Sequence, residues 1–194
     1  MIRPIYLLGT PQLRQPTQPI DEDSAELQAL IDDMLETMAS AHGIGLAAPQ
    51  IGHSERLFVV DVSAMAEEYY GPDVDIPEQP MVFLNASIVD ESEEEIDFEE
   101  GCLSIPDVHE DVTRSSSIRM RYLDRSWVEH TQEFDGILAR VIQHEYDHVD
   151  GVLFIDHITA FRRRLLKRKL KEIMDGSVDA DYSVFAEGKG VLSP

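Results

Sequence analysis

Residues 137–151 read ILARVIQHEYDHVDG, and two patterns share this stretch. Ile137, Leu138, Val141 and Ile142 recur at helical spacing and mark a buried helix face. His144 and His148 extend it: residues four apart lie one turn apart on the same side, so both imidazoles can aim at one point. That is a metal-binding geometry. Glu145 sits far enough round the helix not to be a ligand and close enough to reach a water beside a bound ion. Gly151 closes the helix. HExxH alone is only moderately specific, because any amphipathic helix can place polar residues at these offsets. In a buried face, however, each unpaired polar group costs roughly several kcal/mol, and a metal ion removes that cost. The setting therefore favours a metal site over two hydrogen-bonded core histidines.

Two histidines need a third partner. In the longer motif HExxHxxGxxH the third histidine would fall at position 154, which is Phe154. His157 has the wrong spacing and reads as a surface or helix-capping residue. A glutamate on a later helix is another source of a ligand. Cys102 is the better candidate: it lies in EEGCLSIP, residues 99–106, after a strand, beside Gly101 and ahead of apolar Leu103 and Ile105. A lone cysteine is by default a small buried hydrophobe, but two histidines lacking a partner weigh against that. A single cysteine also excludes an intramolecular disulfide framework.

Moving outward, Ile118, Met120 and Tyr122 alternate with Arg119 and Arg121; the pattern resumes after Asp124 to Ser126 with Val128, His130, Gln132 and Phe134, which predicts an antiparallel hairpin. LFVVDV (57–62), MVFLNASIV (81–89) and EEIDF (94–98) read as short strands. The acidic stretch 64–80, with Gly71, Pro72, Pro77 and Pro80, reads as a long surface loop. Leu27, Leu30, Ile31, Met34, Leu35 and Met38 predict an amphipathic helix opened by a capping box of Asp23 and Glu26. It ends before GIGLAAPQIG, residues 43–52. That stretch also fits GxGxxA through Gly43, Gly45 and Ala48, but a dinucleotide fingerprint needs a strand before it and a helix after; here a helix precedes and Pro49 interrupts. A last helix is expected from about Ile158 to Met174, followed from Gly176 by a polar tail without periodicity. The fold class that follows is α+β, with mostly antiparallel sheets around a central metal-bearing helix and a C-terminal helix. A single catalytic domain is expected over 1–175, with the tail over 176–194.

The length suits one core. A net charge of -22 works against DNA as a partner, because phosphate repulsion opposes every contact outside a basic patch. One such patch exists: Arg162, Arg163, Arg164, Lys167, Arg168, Lys169 and Lys171 fall within 162–171. Its plainer reading is a solvated helix face, and its sharper reading is a docking element for ribosomal RNA or another polyanion. No apolar run approaches the roughly 18 residues of a membrane span, so no membrane partner is expected. The first twenty residues, interrupted by Pro4, Pro11, Pro16 and Pro19, do not read as a secretory signal, so the protein is expected in the cytoplasm.

GIGLAAPQ (43–50), EGCLSIP (100–106) and QHEYDH (143–148), in that order, resemble the three signature motifs of peptide deformylase, over roughly residues 20–157. The resemblance implies that Cys102, His144 and His148 bind one divalent metal ion, iron(II) first, although such a ligand set also accepts zinc, nickel or cobalt. It implies that Glu145 is the general acid/base, that Gln50 and the backbone N–H of Leu103 stabilise an oxyanion, and that Gly43, Ile44 and Gly45 receive the peptide. The implied reaction is hydrolysis of the N-terminal formyl group of formylmethionine on nascent polypeptides, releasing formate. Spacing alone stops at metal-dependent amide hydrolysis. Ile44, Leu103 and Val141 are candidates for the methionine pocket. Two departures from the family stand out: His109 replaces an arginine that many members carry, and the 64–80 loop is longer than usual. The competing classes are a general HExxH metalloprotease and a non-catalytic ribosome-binding module built on 162–171.

Overall fold

Leu57 to Val60 are all buried, yet on alternate faces of one strand, and this sets the layering of the molecule. Phe58 and Val60 join one core cluster, while Leu57 and Val59 join another. A strand covered on both faces has no polar side to alternate with, which is why LFVV lacks the period-two pattern. The computed structural model describes residues 1–71 and 76–194. In chain order its elements are β1 (Ile5–Tyr6), α1 (Ala25–Ser40), β2 (Gly45–Ala47), β3 (Leu57–Val60), α2 (Ala66–Tyr70), β4 (Met81–Glu91), β5 (Glu95–Cys102), β6 (Ile105–Ser115), β7 (Ser117–Leu123), β8 (Glu129–Asp135), α3 (Gly136–Val149), α4 (Ala160–Met174), β9 (Val184–Ala186) and β10 (Gly190–Leu192).

The central sheet has the order β2-β3-β4-β7-β8 and is antiparallel throughout. On one face lies α3, whose Ile137, Leu138, Val141 and Ile142 pack with Phe58, Phe83, Met120 and Phe134. On the other lies α1, with Leu27, Leu30, Ile31, Met34 and Met38 against Leu57, Val59, Val82 and Leu84. The β5-β6 hairpin stands apart from this sheet. The architecture is the expected α+β arrangement of antiparallel sheets about a buried helix. None of the helices among the described residues is long and apolar enough to cross a membrane.

Three expectations are corrected. The cap of α1 is Ser24, whose Oγ accepts from Leu27 N–H at 3.1 Å; Asp23 instead accepts from Gln28 Nε2 at 2.8 Å. The 64–80 stretch is not loop throughout, since it contains α2, and residues 72–75 of it lie outside the described residues. Tyr70 of α2 caps α3: its hydroxyl accepts from Leu138 N–H at 2.9 Å and donates to Asp135 O at 2.8 Å, serving an amide that the helix itself leaves without a partner. The supposed aperiodic tail from Gly176 contains β9 and β10, and β9 pairs in parallel with β1 while β10 runs antiparallel to β9. Strands of three residues are too short to display a period. Val184 and Ala186 pack with Leu7, Ile105, Phe154, Leu170 and Ile173 in a third cluster behind the hairpin. The last helix begins at Ala160, capped by Thr159, whose Oγ1 accepts from Arg162 N–H at 3.2 Å.

Candidate metal centre and substrate cleft

Three separate pieces of chain converge on one point. The helix α3 presents His144, Glu145 and His148, all buried. Cys102 is the last residue of β5, at the tight connection to β6, and not after the strand as the sequence suggests. Its Sγ lies 3.2 Å from His148 Nε2, and one donor atom from each of Cys102, His144 and His148 falls within 4.8 Å of the others. His144 engages Glu100 Oε2 through Nδ1 at 2.9 Å, which leaves Nε2 for the shared point. Burial opposes ionisation of the Cys102 thiol, but the neighbouring His148 and His144 rings outweigh it and bring the pKa down to about 5. Conversely, burial lowers the pKa of His144, while Cys102 and Glu100 together lift it well above the ordinary imidazole value. A thiolate and two imidazoles form a donor set suited to a borderline divalent cation, and the buried Oε2 of Glu145 has no hydrogen-bond partner. The residues fit the ion that the sequence implies.

Glu145 is the unusual member. Burial raises its carboxyl pKa to about 7, against the opposing effect of His144 and His148. That is where a general acid/base works best near neutral pH. Gly45 is the reason the carboxyl group fits: a Cβ at residue 45 would lie 2.8 Å from both Cγ and Cδ of Glu145. At Gly43 a Cβ would meet Leu103 Cδ1 at 2.8 Å, so a side chain at either glycine of GIG would displace a group lining the cleft. Gln50 is held by a bond from Ala47 N–H to its Oε1 at 2.8 Å; its Nε2 then faces the centre, 3.5 Å from Cys102 Sγ and 3.3 Å from Ser104 Oγ. Because β2 is an edge strand, its neighbourhood can accept one further strand.

Beside these residues opens a cavity of about 440 Å³. Ile44, Leu103 and Val141, the candidates for the methionine pocket, line it, together with Ile137 and Phe98, which the sequence reading did not assign to the cleft. His109 lines it too, its ring 2.7 Å from where a Cβ on Gly101 would stand. Tyr182, from the segment expected to be a tail, contributes a further wall. His157 is exposed and bonds through Nε2 to Asp147 Oδ2 at 2.7 Å, away from the centre.

Sequence reading missed the charged layer behind the histidines. Buried Glu100 accepts from His144 Nδ1, from Arg114 Nε at 2.7 Å and Nη2 at 3.1 Å, and from Arg140 Nη1 at 3.0 Å. Arg114 Nη1 reaches Asp147 Oδ2 at 2.7 Å. The signal was present in ILARVIQ, where Arg140 stands alone within a helix face otherwise fit for burial. Its partners lie 28, 40 and 44 residues away, which no local pattern reveals.

Two histidines and a thiolate around one point, with a buried carboxyl group and an open cleft beside them, are the setting of a metal-dependent hydrolase. The sequence model described as Polypeptide deformylase matches residues 2–164. A peptide deformylase of Salinibacter ruber is 56% identical over 182 residues, covering 94% of this chain and 93% of its own, and one of Cytophaga hutchinsonii is 47% identical over 182 residues, covering 94% and 96%. The crystal structure of a peptide deformylase from Legionella pneumophila superposes with a TM-score of 0.78 at 37% identity, covering 91% of this chain and 98% of its own. That from Ehrlichia chaffeensis gives 0.81 at 30%, covering 91% and 99%. The chain belongs to the peptide deformylase family, and its reaction is the hydrolytic removal of the formyl group from formylmethionine at the start of nascent polypeptides.

Proposed function

We propose that Cys102, His144 and His148 hold a single iron(II) ion and that Glu145 moves the protons of the reaction. The observation that carries this is the buried carboxylate of Glu145 with Oε2 unpartnered, next to the Cys/His/His cluster. A divalent cation held there supplies Lewis acidity for the carbonyl and lowers the pKa of water toward neutrality. Glu145 takes a proton from the attacking water at Oε2 and returns it to the departing amine, which must be protonated before it can leave. Gln50 Nε2 and the Leu103 N–H donate to the oxygen on which negative charge gathers. Gly43, Ile44 and Gly45 align the substrate backbone as an added strand, and Ile44, Leu103 and Val141 surround the methionine side chain. The catalytic body is assigned to residues 1–175, with 176–194 folded back on it, and the enzyme acts in the cytoplasm, where nascent chains begin.

The test is formate release from a short formyl-Met peptide by protein loaded anaerobically with iron(II), beside an internal-cleavage assay on unformylated peptide. Formate without internal cleavage is the expected result. Internal cleavage without formate would favour a general metalloprotease instead.

A contact with the ribosome is the second reading, through α4. Here Arg162 pairs with Glu110, Arg163 with Asp156 and Lys169 with Asp107, so part of the basic stretch fastens the helix to the acidic body. Among the described residues Arg164, Lys167 and Lys171 form no ion pair, and Phe161 and Leu165 are exposed beside them. Glutamine at those three cationic positions is expected to remove co-sedimentation with ribosomes at low salt and to keep formate release. Unchanged co-sedimentation would end this reading.

A further inference from the structure

Residues 103 and 104 connect β5 to β6, and both of their carbonyls are held by the terminal sheet region. Leu8 N–H, just past β1, donates to Ser104 O at 2.9 Å. The Tyr182 hydroxyl, just before β9, donates to Leu103 O at 2.8 Å. The Ser104 hydroxyl meets Gln50 Nε2 at 3.3 Å, so the connection is tied to the other oxyanion donor as well. Tyr182 is half-buried and lines the cleft beside Leu103, yet it lies beyond the 2–164 stretch that defines the family match.

We propose that Tyr182 is a positioning residue for deformylation, its hydroxyl fixing the backbone of Leu103 so that the Leu103 N–H faces the reacting carbonyl. The Leu103 N–H lies in one rigid peptide plane with the Cys102 carbonyl and is joined to the Leu103 carbonyl through the two soft torsions of residue 103, so holding Cys102 in the cluster on one side and the Leu103 carbonyl on the other restrains the plane between them. The Leu103 side chain lies close to Gly43, and the tyrosine hydroxyl restrains the Leu103 main chain. Small misplacements of a donor reduce the stabilisation of developing charge far more than they reduce binding. The proposal rests on the role given to the Leu103 N–H above.

Its test compares the metal-loaded full chain with Tyr182→Phe, which keeps the ring and loses the hydroxyl, and with Val184→Ala, which loosens β9 without touching that bond. Tyr182→Phe is expected to lower kcat for a formyl-Met peptide about tenfold with KM within about twofold of the parent. Val184→Ala is expected to lower the melting temperature and retain the parent kcat. A parent-like kcat in Tyr182→Phe would overturn the proposal. So would a raised KM at constant kcat, which marks a mere cleft wall, or an equal kcat loss in Val184→Ala, which marks general loosening. Failure of the deformylation reading would look different, because the parent itself would then release no formate.

Discussion

Glu145→Gln is expected to cut formate release by about 10² to 10⁴-fold while leaving the Cys/His/His cluster intact, because the amide keeps the shape of the carboxylate and cannot move a proton. The same change should stabilise the chelator-treated protein in alkaline solution. Burial raises the Glu145 carboxyl pKa to about 7 in the folded chain, above its unfolded value, so folding favours the protonated form. The stability this gives is complete below the unfolded pKa of about 4.3 and is lost as pH rises through the folded value. Above pH 7 the parent therefore carries a buried charge that the variant lacks, a difference on the order of 3 kcal/mol. Urea unfolding of both proteins at pH 5 and pH 8 measures it. Parallel pH dependences would sink the burial argument, and undiminished formate release would remove Glu145 from the chemistry.

Glu100→Ala is the second large effect. It leaves the Arg114 and Arg140 guanidiniums buried without their common carboxylate and removes the acceptor for His144 Nδ1. Breaking such a pair costs about 3–5 kcal/mol, and losing the partner of a ligating imidazole weakens metal binding by about 10 to 100-fold. The parent should also show an acid-labile component that the variant lacks. Burial acts to raise the Glu100 pKa, but His144 and Arg114 overcome it and hold the carboxyl far below the ordinary range. Its contribution is present above the unfolded pKa of about 4.3 and is lost as pH falls below that toward the folded value. Metal titration and unfolding at pH 7 and pH 3.5 would check both parts. Metal affinity equal to the parent's would show that His144 needs no partner to be held.

The parts of this molecule that could be read in advance are those whose residues signal locally. The α3 helix advertises itself through its apolar spacing, and the histidine pair and Glu145 sit on it at fixed offsets. Cys102 required one further step, a partner for two histidines, and the ordered motifs supplied the rest. The α2 helix was hidden by the glycines and prolines around it, and its capping of α3 by Tyr70 is a contact between residues 68 apart. The charged layer around Glu100 was hidden for the same reason. Length concealed β1, β9 and β10: two or three residues cannot show alternation, and their pairing partners come from remote sequence.

That remote pairing has a temporal side. Ile5 pairs with Val184, so β1 waits on the ribosome for a partner that is translated after β2 to β8. Pairing across so wide a sequence separation is intrinsically slow. An enzyme that processes chains as they emerge is therefore itself a protein whose own maturation cannot finish until translation of its message has run past β9.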